Sequence, residues 1–546
     1  MKTKLLSTIL LVFVALNMNA QSPNWQWALR AGGTSTEYAE STLDANGNIY
    51  VSGAFFSPTI TFGTTTLSNA GGADMFIAKY DASGNVLWAK SAGGASVDAA
   101  QNIATDANGN VYITGLFYSG SITFGTTTLT NAGSNTDIFI VKYDASGNVI
   151  WAKRAGSGTN GDDGKGIAVD VVTGNIFITG YFGGTANFDA LSITSAGNND
   201  IFIAKYDANG NAIWVKQAGD APTIDEWGNS ISVDASSNCY VTGQIGNGAG
   251  DLNVFISKYD NSGNMLWTKT SGGTSQDEGN GISVSTNGNS YTTGYFRSPT
   301  ITFGSTTLTS SSAGAHPNIF VVKYDGSGNF LWAKSAGGDN DDLSAGISAD
   351  VNGNAYITGM FGSSTLTFGS TNLTSAGGTF LDAFVAKYDA SGNPLWAKSV
   401  GGVADDYGQS IYAAPNGSTF VTGIFGSNTI VFDTTTLTNA NTDSTSDIFV
   451  AKLDSALGIN EPNNLIDTVR VFPNPFSTQT TFQTDVLLNN ATLTVYNSLG
   501  QTIKQIKNIS GQTVVLSRDN LASGLYFIRI TEGNKVITAK KLVITD

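Results

Sequence analysis

Cysteine and histidine are almost absent from this chain of 546 residues, which contains one of each. The lone Cys239 rules out a disulfide within the chain, and beside Tyr240 in a strand-like run it is interpreted as a small buried apolar residue. The lone His316 excludes most metal-ligand clusters and the usual Ser-His-Asp and Cys-His pairs. It lies in a loop sequence found in one repeat copy, so we interpret it as a surface residue. The sequence therefore assigns no catalytic residue.

Charged residues are also scarce, at 13% of the chain, and they are unevenly distributed. Residues 21–466 hold 17 basic and 37 acidic side chains, whereas residues 467–546 hold 8 basic and 5 acidic ones. A strongly acidic surface repels nucleic acid and anionic membranes and attracts cations. We therefore expect no nucleic-acid partner.

Long apolar runs are missing except at the N terminus. There Lys2 and Lys4 precede a mostly apolar stretch, and the small residue Ala20 ends the pattern before Gln21. This order is typical of a cleaved secretory signal over residues 1–20. The apolar stretch is short for a membrane span and no other segment resembles one. We therefore predict an exported, soluble protein without a transmembrane segment.

Glycine and an internal repeat are what the chain has in abundance. A Lys-Tyr-Asp or Lys-Leu-Asp triplet and a tryptophan each recur seven times, with most spacings between 61 and 65 residues. Each copy contains four strand-like runs rich in Val, Ile, Tyr and Phe, and most copies add a short hairpin sequence between the second and third runs. Turns of the type Asp-x-x-Gly-Asn join the runs, and we interpret them as structural hairpin turns rather than calcium loops. The triplets begin at Lys79, Lys142, Lys205, Lys258, Lys323, Lys387 and Lys452, and the tryptophans are Trp27, Trp88, Trp151, Trp214, Trp267, Trp332 and Trp396.

Four-stranded copies repeated seven times predict an all-β fold with a seven-bladed β-propeller over residues 22–455, because radial repetition leaves few open sheet edges. The repeat begins with a fourth-strand sequence around Trp27 and ends after the third-strand sequence of residues 447–454. The N-terminal strand is therefore expected to complete the last blade and close the ring.

The segment DAFVAKYDASGNPLWAKSVGGVADDYGQSIYAAPNGSTFVTG, residues 382–423, resembles the bacterial β-propeller repeat known as SBBP. Its three stretches, Asp-x-Phe-Val-Ala-Lys-Tyr-Asp, Gly-Gly-x-x-x-Asp and Val-Thr-Gly, match in most copies between residues 25 and 454. The resemblance implies a propeller fold. It implies no particular activity, because a fold does not specify a function.

The C-terminal part has a different character. Residues 456–467 contain turn-forming residues and predict a linker, and residues 468–546 contain alternating strand-like runs that predict a small Ig-like β-sandwich. This last segment resembles the type A C-terminal sorting domain of the type IX secretion system. The matching residues are Pro473, Asn474, Pro475, Gly500, Gly524, Tyr526, Lys540 and Lys541.

The sorting-domain resemblance implies a route for the whole chain. The chain would pass through the periplasm and cross the outer membrane of a Bacteroidetes-type cell by means of the type IX machinery. The domain would then be cleaved in the linker, and the rest released or attached to surface lipopolysaccharide. The alternative is an adhesive Ig-like module that stays attached.

One carboxylate recurs in the loop before the first strand of every copy. It precedes the first position of the following turn by eight residues in six copies and by seven in the first. That position is Asp in five copies, Ser285 in the fifth copy and Ala414 in the seventh. If these side chains point toward the propeller axis, they surround the channel mouth and could hold Ca²⁺ or gather a cationic or hydroxylated ligand. The alternative is structural: each accepts backbone N–H bonds within its own loop. We call them the ring carboxylates: Glu37, Asp98, Asp162, Glu226, Asp277, Asp342 and Asp406.

Three aromatic residues, Tyr38, Trp227 and Tyr407, directly follow ring carboxylates. Aromatic rings beside carboxylates are what a sugar-binding rim offers, so these three form a candidate aromatic rim. The repeated tryptophan is instead interpreted as a packing residue between blades.

Together the patterns favour a non-enzymatic binding or scaffold protein, secreted or on the cell surface. Its ligand would be a glycan or another surface protein, with possible support from Ca²⁺. One alternative is a carbohydrate-active hydrolase or lyase that uses paired carboxylates on the loop face. Another is a purely structural surface-layer protein. An enzyme site should make one copy differ from the others, so the near-identity of the copies argues against catalysis.

Overall fold

The computed structural model describes residues 22–219, 223–247, 251–378, 380–441, 445–454, 469–497, 502–532 and 535–546. The predicted signal, residues 1–20, and the predicted linker, residues 456–467, lie outside these ranges. The chain divides into two compact parts, Met1–Ala456 and Leu457–Asp546, which are described one at a time. Within the described ranges the chain forms strands and turns, and no helix of the length and apolarity that a membrane crossing requires is found.

The first part consists of short antiparallel strands. The strands up to residue 218 are β1 Trp25–Ala31, β2 Glu37–Leu43, β3 Ile49–Phe55, β4 Thr59–Phe62, β5 Thr65–Ser68, β6 Asp74–Tyr80, β7 Val86–Ala92, β8 Asp98–Thr105, β9 Val111–Phe117, β10 Ser121–Phe124, β11 Thr127–Thr130, β12 Asp137–Tyr143, β13 Val149–Gly156, β14 Asp163–Val169, β15 Ile176–Phe188, β16 Leu191–Tyr206 and β17 Ala212–Ala218. The next are β18 Trp227–Val233, β19 Cys239–Gly246, β20 Leu252–Tyr259, β21 Met265–Ser271, β22 Asp277–Val284, β23 Ser290–Phe296, β24 Thr300–Phe303, β25 Thr306–Thr309, β26 Asn318–Tyr324 and β27 Phe330–Ala336. The last are β28 Asp342–Ala349, β29 Ala355–Phe361, β30 Thr365–Phe368, β31 Thr371–Thr374, β32 Asp382–Tyr388, β33 Pro394–Val400, β34 Asp406–Ala413, β35 Thr419–Phe425, β36 Thr429–Phe432, β37 Thr435–Thr438 and β38 Asp447–Leu453.

These strands assemble into four-stranded antiparallel units, which we number in chain order. Units 1 to 6 are β2-β3-β6-β7, β8-β9-β12-β13, β14-β15-β16-β17, β18-β19-β20-β21, β22-β23-β26-β27 and β28-β29-β32-β33. Units 2 and 3 are joined into one sheet by pairing between β13 and β15. In unit 7, β34-β35-β38 is completed by β1, whose Ala28 pairs with Ala451. The all-β prediction is confirmed.

The first strands of neighbouring units lie side by side. In the order β2, β8, β14, β18, β22, β28 and β34, each first strand contacts the next one, and β34 contacts β2. The second and third strands of a unit are buried along nearly their whole length, so they read as continuous apolar runs rather than as an alternation. Apolar clusters fill the space between units, as where Met75 and Ile77 of unit 1 pack with Phe139 and Val141 of unit 2.

The repeated tryptophan and lysine join one unit to the next. The Trp88 indole N–H and the Lys79 ammonium both donate to the carbonyl oxygen of Ala145, at 3.3 and 3.0 Å, in the turn of unit 2. In that turn Gly147 has φ of 80°, and a Cβ there would lie 3.1 Å from the Trp88 ring. Asp144 accepts N–H bonds from the same turn. The structure therefore places the tryptophan in packing between units and the Asp turn in a structural role.

The second part is formed by β39 Val469–Phe472, β40 Gln479–Tyr496, β41 Thr502–Ser517, β42 Gly524–Glu532 and β43 Lys535–Ile544. The sequence predicts an Ig-like sandwich of two sheets, but these strands join in one antiparallel sheet of order β39-β40-β42-β43, with β41 also paired to β40. The difference arises because β40 is long enough to pair with β39 near its start and with β42 near its end. Its pairing with β41 is irregular, and apolar side chains of both halves form one buried cluster.

Candidate functional site

The ring carboxylates lie inside the loops between units rather than at an open surface. All seven side chains belong to residues with 0% relative exposure. Asp98 shows the arrangement: its Oδ2 accepts from the Gly94 N–H at 2.7 Å and the Ser119 hydroxyl at 2.6 Å, and its Oδ1 accepts from the N–H groups of Tyr118 and Ser119 at 3.1 Å. The carboxylate thereby ties the loop before the first strand to the residues that follow the second strand.

Related bonds hold the other ring carboxylates. The donors are the Ser57 hydroxyl to Glu37, the Gly183 N–H to Asp162 at 3.1 Å, the Gly246 N–H to Glu226 at 2.7 Å, and the hydroxyls of Ser298, Ser363 and Ser427 to Asp277, Asp342 and Asp406, each at 2.7 Å. This is the arrangement that the structural alternative describes, because each carboxylate serves its own junction.

A second buried carboxyl group lies beside several ring carboxylates. It belongs to the first residue of a third strand in the preceding unit, and in each pair one carboxyl group raises the pKa of the other. In the pair of Asp137 and Asp162, the two side-chain oxygens lie 2.7 and 2.8 Å from the position that a Cβ on Gly156 would occupy. The other pairs are Asp447 with Glu37, Asp74 with Asp98, and Asp382 with Asp406. In units 4 and 5 the corresponding third-strand residues are Asn253 and Asn318.

Burial is the main cause of the high pKa values in these pairs, and the neighbouring carboxylate adds to it. The pKa is raised to about 8 for Glu37 and to about 7 for Asp162 and Asp406. Hydrogen bonds from serine and backbone donors oppose the shift without cancelling it. At these junctions one proton is therefore held more tightly than by a free carboxyl group.

The third-strand carboxylates differ in their partners. Arg30 lies 2.6 Å from Asp447 and Arg154 lies 2.9 Å from Asp137, whereas Asp74 and Asp382 have no Lys or Arg within 4 Å among the described residues. The pairs therefore fall into one class with a cationic partner and one without.

The structure gives little support to a metal site at these junctions. In the described ranges no group of three or more His, Cys, Asp or Glu side chains could hold a metal ion. Ca²⁺ takes about 6–8 oxygen ligands, and the ring carboxylates already accept hydrogen bonds from the protein. Support from Ca²⁺ stays a prediction.

A cavity of about 310 Å³ lies between the first strands of the units. Its wall is polar, and every unit contributes to it through one position on its first strand. In unit 1 this residue is Glu40, and in units 2 to 7 they are Gln101, Lys165, Asn229, Asn280, Ala345 and Gln409. We call this space the central cavity.

A β-bulge directs these side chains in units 2 to 7. In the described strands the pairing register shifts at Gln101, Lys165, Asn229, Asn280, Ala345 and Gln409, whereas β2 pairs with β3 without a shift. A bulge inserts one extra residue and re-aims a side chain. It also explains why the first ring carboxylate precedes its turn by seven residues and the others by eight.

The copies differ at the cavity and its rim. The residue after the ring carboxylate is Asp163, Trp227 and Glu278 in units 3, 4 and 5, whereas units 2 and 6 have Ala99 and Leu343. Facing them on the second strand are Tyr181, Gln244 and Tyr295 in units 3 to 5, and Leu116 and Met360 in units 2 and 6. Units 3 to 5 therefore form a polar and aromatic sector.

The side chains of this sector contact one another. The Lys165 ammonium lies 5.2 Å from the Trp227 ring centroid and 5.9 Å from that of Tyr181, and these two rings are 5.7 Å apart. Gln101 donates to Asp163 at 3.3 Å. Burial raises the pKa of Asp163 to about 6, and Lys165 opposes that shift. The sector joins cation, carboxylate and aromatic rings in one network.

The three residues of the predicted aromatic rim contact different neighbours, and the rim stays a prediction. Tyr38 and Tyr407 pack against the same apolar cluster of units 1 and 7, and Tyr38 lies 6.5 Å from Phe56 between ring centroids. Burial and the nearby Asp405 raise the pKa of Tyr407 to about 12. Trp227 contacts Tyr181 and Lys165 in the polar sector instead.

Sequence reasoning did not select Lys165, Tyr181 or Tyr295 as site residues. Their signal is present in the chain, because each stands where most other copies carry a different residue type. The difference can be recognised only when the copies are aligned at their bulged residues. The bulge is a feature of strand pairing, so the sequence alone does not reveal it.

The two rare residues lie outside this site. Cys239 is buried, and burial raises the pKa of its thiol to about 12, as expected for an inert core residue. The His316 ring nitrogen Nδ1 lies 2.7 Å from a carboxylate oxygen of Asp341, and both side chains are exposed.

The sorting-motif residues lie in the C-terminal part. Asn474, between Pro473 and Pro475, donates to the Lys541 carbonyl at 3.0 Å and accepts from the Val543 N–H at 2.8 Å. Gly524 begins β42, Tyr526 donates to the Ala522 carbonyl at 2.8 Å, and Lys540 lies on β43. Gly500 lies outside the described residues.

Comparison with known protein families finds one match in each part of the chain. Residues 470–545 match the secretion system C-terminal sorting domain, and residues 213–248 match the β-propeller repeat. The chain contains a β-propeller repeat and a type IX secretion sorting domain. The sorting domain indicates export to the cell surface or the extracellular space of a Bacteroidetes-type cell. It also implies that the chain interacts with the type IX machinery.

Curated relatives match parts of this repeat protein. An uncharacterised WD repeat-containing protein of Acanthamoeba polyphaga mimivirus is 24% identical over 67% of this chain and 32% of its own length. An endo-acting ulvan lyase of Formosa agariphila is 32% identical over 19% of this chain and 20% of its own length. The chain thus spans a third or less of the curated relatives it matches.

Among solved structures, PorZ of the Porphyromonas gingivalis type IX secretion system is similar, with a TM-score of 0.29 and 11% identity, covering 94% of this chain and 75% of PorZ. A puromycin hydrolase variant is similar with a TM-score of 0.40 and 10% identity, covering 83% of this chain and 59% of that one.

Proposed function

We propose that this exported chain is a closed seven-bladed propeller that binds a ligand without catalysis. Units 1 to 7 correspond to the blades. The pairing of β1 with β38 and the contact of β34 with β2 support closure by the N-terminal strand. The predicted boundaries, residues 22–455 for the propeller and 468–546 for the sorting domain, are part of this proposal.

The ligand site we propose is the central cavity. One observation carries this: the copies are alike in core, turns and ring carboxylates, yet the bulged residue directed at the cavity is Gln, Lys, Asn, Asn, Ala and Gln in units 2 to 7. Packing demands would repeat a residue in every copy. A wall of different amides and charges instead suits recognition of a particular polar ligand, and we favour a glycan.

Two features of the geometry support binding rather than hydrolysis or lysis. The carboxylates that the enzyme alternative would pair are fully buried in the junctions and accept hydrogen bonds from the protein. Retaining glycoside chemistry needs two carboxyl groups about 5 Å apart on either side of a substrate bond, which requires access. The buried pairs offer no such access.

A glycan array tests the proposal. The chain without residues 1–20 is applied once with Ca²⁺ and once with a chelator. Saturable binding in both conditions is the expected result, and loss of binding with the chelator would restore a role for Ca²⁺. No binding in either condition would contradict a glycan ligand and favour a surface-protein ligand or the structural surface-layer alternative.

A further inference from the structure

We propose that the polar sector of units 3 to 5 is a subsite for a neutral hydroxylated sugar ring, with Lys165 and Glu278 as its binding residues. This inference rests on the proposed function and names the part of the cavity that performs it. The sector is defined by Asp163, Lys165, Tyr181, Trp227 and Glu278 together with the side chains that hold them.

Lys165 is held in a fixed position at the cavity wall. Its ammonium lies over both the Trp227 and Tyr181 rings, which attract it through their negatively charged faces. Trp227 and Tyr181 therefore act as positioning residues, and Lys165 presents its N–H donors to the cavity. No other unit has a lysine at this position.

Glu278 is held in a similar way. Its Oε1 accepts from the Asn229 amide at 2.7 Å, and its Oε2 accepts from the Tyr295 hydroxyl at 2.8 Å and the Gln276 amide at 3.3 Å. Each carboxylate oxygen has more than one acceptor site, so Glu278 can still accept from ligand hydroxyls. A carboxylate held in place before binding loses little freedom when a ligand arrives.

Two polar atoms of the sector have no hydrogen-bond partner among the described residues. They are the Oδ1 of Asp163, a residue only 3% exposed, and the indole N–H of Trp227. The other oxygen of Asp163 is bound by Gln101, which lines the cavity. Unpaired buried polar atoms also occur elsewhere in the repeat units, for example at Asp74, Asp382 and Trp396, so the position of Lys165 and Glu278 on the cavity wall carries the argument and these two atoms add only unused hydrogen-bonding capacity.

The charges of the wall select the class of ligand. Glu40 and Glu278 both line the cavity with Lys165, and burial raises the pKa of Glu40 to about 7, so at neutral pH the wall offers an anionic ligand no excess of positive charge. A cationic ligand is repelled by the ammonium of Lys165, which already occupies the faces of the Trp227 and Tyr181 rings. Hydroxyl groups donate to Glu278 and accept from Lys165 and the amides of Gln101, Asn229 and Asn280. The volume is at the small end of the range of about 300–1,000 Å³ for ligand pockets, which suits a sugar terminus.

Binding of single sugars to the exported chain without residues 1–20 tests the subsite. Glucose, galactose, mannose, N-acetylglucosamine, glucuronic acid and glucosamine are titrated and followed by saturation-transfer NMR. We expect at least one neutral sugar to bind, and Lys165→Met and Glu278→Gln each to weaken it about ten-fold or more. Trp227→Ala should weaken it as well, and Trp227→Phe should restore much of the binding because phenylalanine also offers a ring to Lys165.

The matched control is Tyr118→Ala, which removes an aromatic side chain that is 46% exposed in unit 2, outside the sector. It should bind like the unmodified chain. If Lys165→Met does not fold, Glu278→Gln keeps the test valid because it preserves shape.

The outcomes separate this inference from the proposed function. Sugar binding that survives both Lys165→Met and Glu278→Gln would overturn the subsite and leave glycan binding intact. Glucuronic acid or glucosamine binding about ten-fold more tightly than every neutral sugar would overturn the neutral class. An unmodified chain that binds on the glycan array but binds no single sugar would overturn the subsite, and one that binds in neither assay would contradict a glycan as the ligand of the proposed function.

Discussion

Asp382→Asn tests the account of the buried carboxyl pairs. Asp382 accepts from the Ala376 N–H at 2.5 Å, and its Oδ1 has no partner among the described residues. Its neighbour Asp406 is bound by the Ser427 hydroxyl and N–H, which favour the ionised form. Asparagine keeps the acceptor at residue 382 and removes the second charge. Units 4 and 5 already carry Asn253 and Asn318 at this position.

The sign of the pH effect follows from the raised pKa values. A carboxyl group whose pKa is higher in the folded chain than in the unfolded chain binds its proton more tightly when folded. The stability it contributes is therefore complete below the unfolded pKa of about 4 and is lost as the pH rises through the folded pKa. For Asp406 that window ends at about 7.

The magnitude can be bounded from the same shift. Moving the pKa of Asp406 from 3.8 to about 7 corresponds to about 4 kcal/mol, because one pKa unit is worth 1.36 kcal/mol. Burial causes most of this shift and Asp382 adds to it. We therefore expect Asp382→Asn to raise the free energy of unfolding by about 1–2 kcal/mol above pH 7 and to change it little at pH about 5.

The assay is thermal unfolding of the unmodified chain and of variants at pH about 5, where Asp406 is protonated in the folded chain, and at pH about 8.5, above its folded pKa of about 7. The matched control is Asp137→Asn, where Arg154 loses its partner at 2.9 Å, so this variant should gain no stability at the higher pH. An Asp382→Asn chain less stable than the unmodified one at the higher pH would refute the reasoning. It would mean that the ionised Asp382 is needed, for instance to hold a cation.

Further predictions concern the junctions and the sorting domain. Gly147→Ala should lower the free energy of unfolding by about 1–3 kcal/mol in a denaturation series, because φ is positive and the new Cβ meets Trp88. The control is Gly120→Ala, which has open space around it and should cost little. Arg30→Met should lower the free energy of unfolding by about 2 kcal/mol at pH above 8, because it leaves Asp447 unpaired beside Glu37, and by less at pH 5. The control in parallel thermal melts is Arg297→Met, which breaks the exposed pair with Asp341 and should change the stability little. Asn474→Ala removes the hydrogen bonds to Lys541 and Val543, so it should lower the fraction of the chain at the cell surface or in the medium. The control is Thr478→Ala, which should be exported normally. Normal export of both variants would contradict the prediction.

Much of the fold could be predicted because its signals are local. The Asp-x-x-Gly-Asn turns, the apolar strand runs and the repeated Trp appear in the chain at regular spacing, and each satisfies a requirement within one unit or between adjacent units. The sorting domain was predicted from residues such as Pro473 and Asn474, although its five strands join in one sheet because β40 pairs on both sides.

The orientation of the ring carboxylates could not be predicted from the sequence. The sequence places one before each first strand but does not say whether it faces solvent or the protein. Asp98 meets Ser119 across its own unit and Asp74 from the unit before, so its burial depends on how two sheets pack.

The sequence by itself determined the repeated β-strand architecture, the acidic charge of the repeat region and the sorting domain, because turn chemistry, apolar periodicity and motif spacing are properties of short segments. Only the tertiary structure decided which side chains face one another. A single bulged residue turns Lys165 toward the cavity, and the packing of neighbouring units brings it to Trp227 and Tyr181. Contacts of this kind join residues far apart in the chain, and their geometry is set by the register of paired strands rather than by any local pattern.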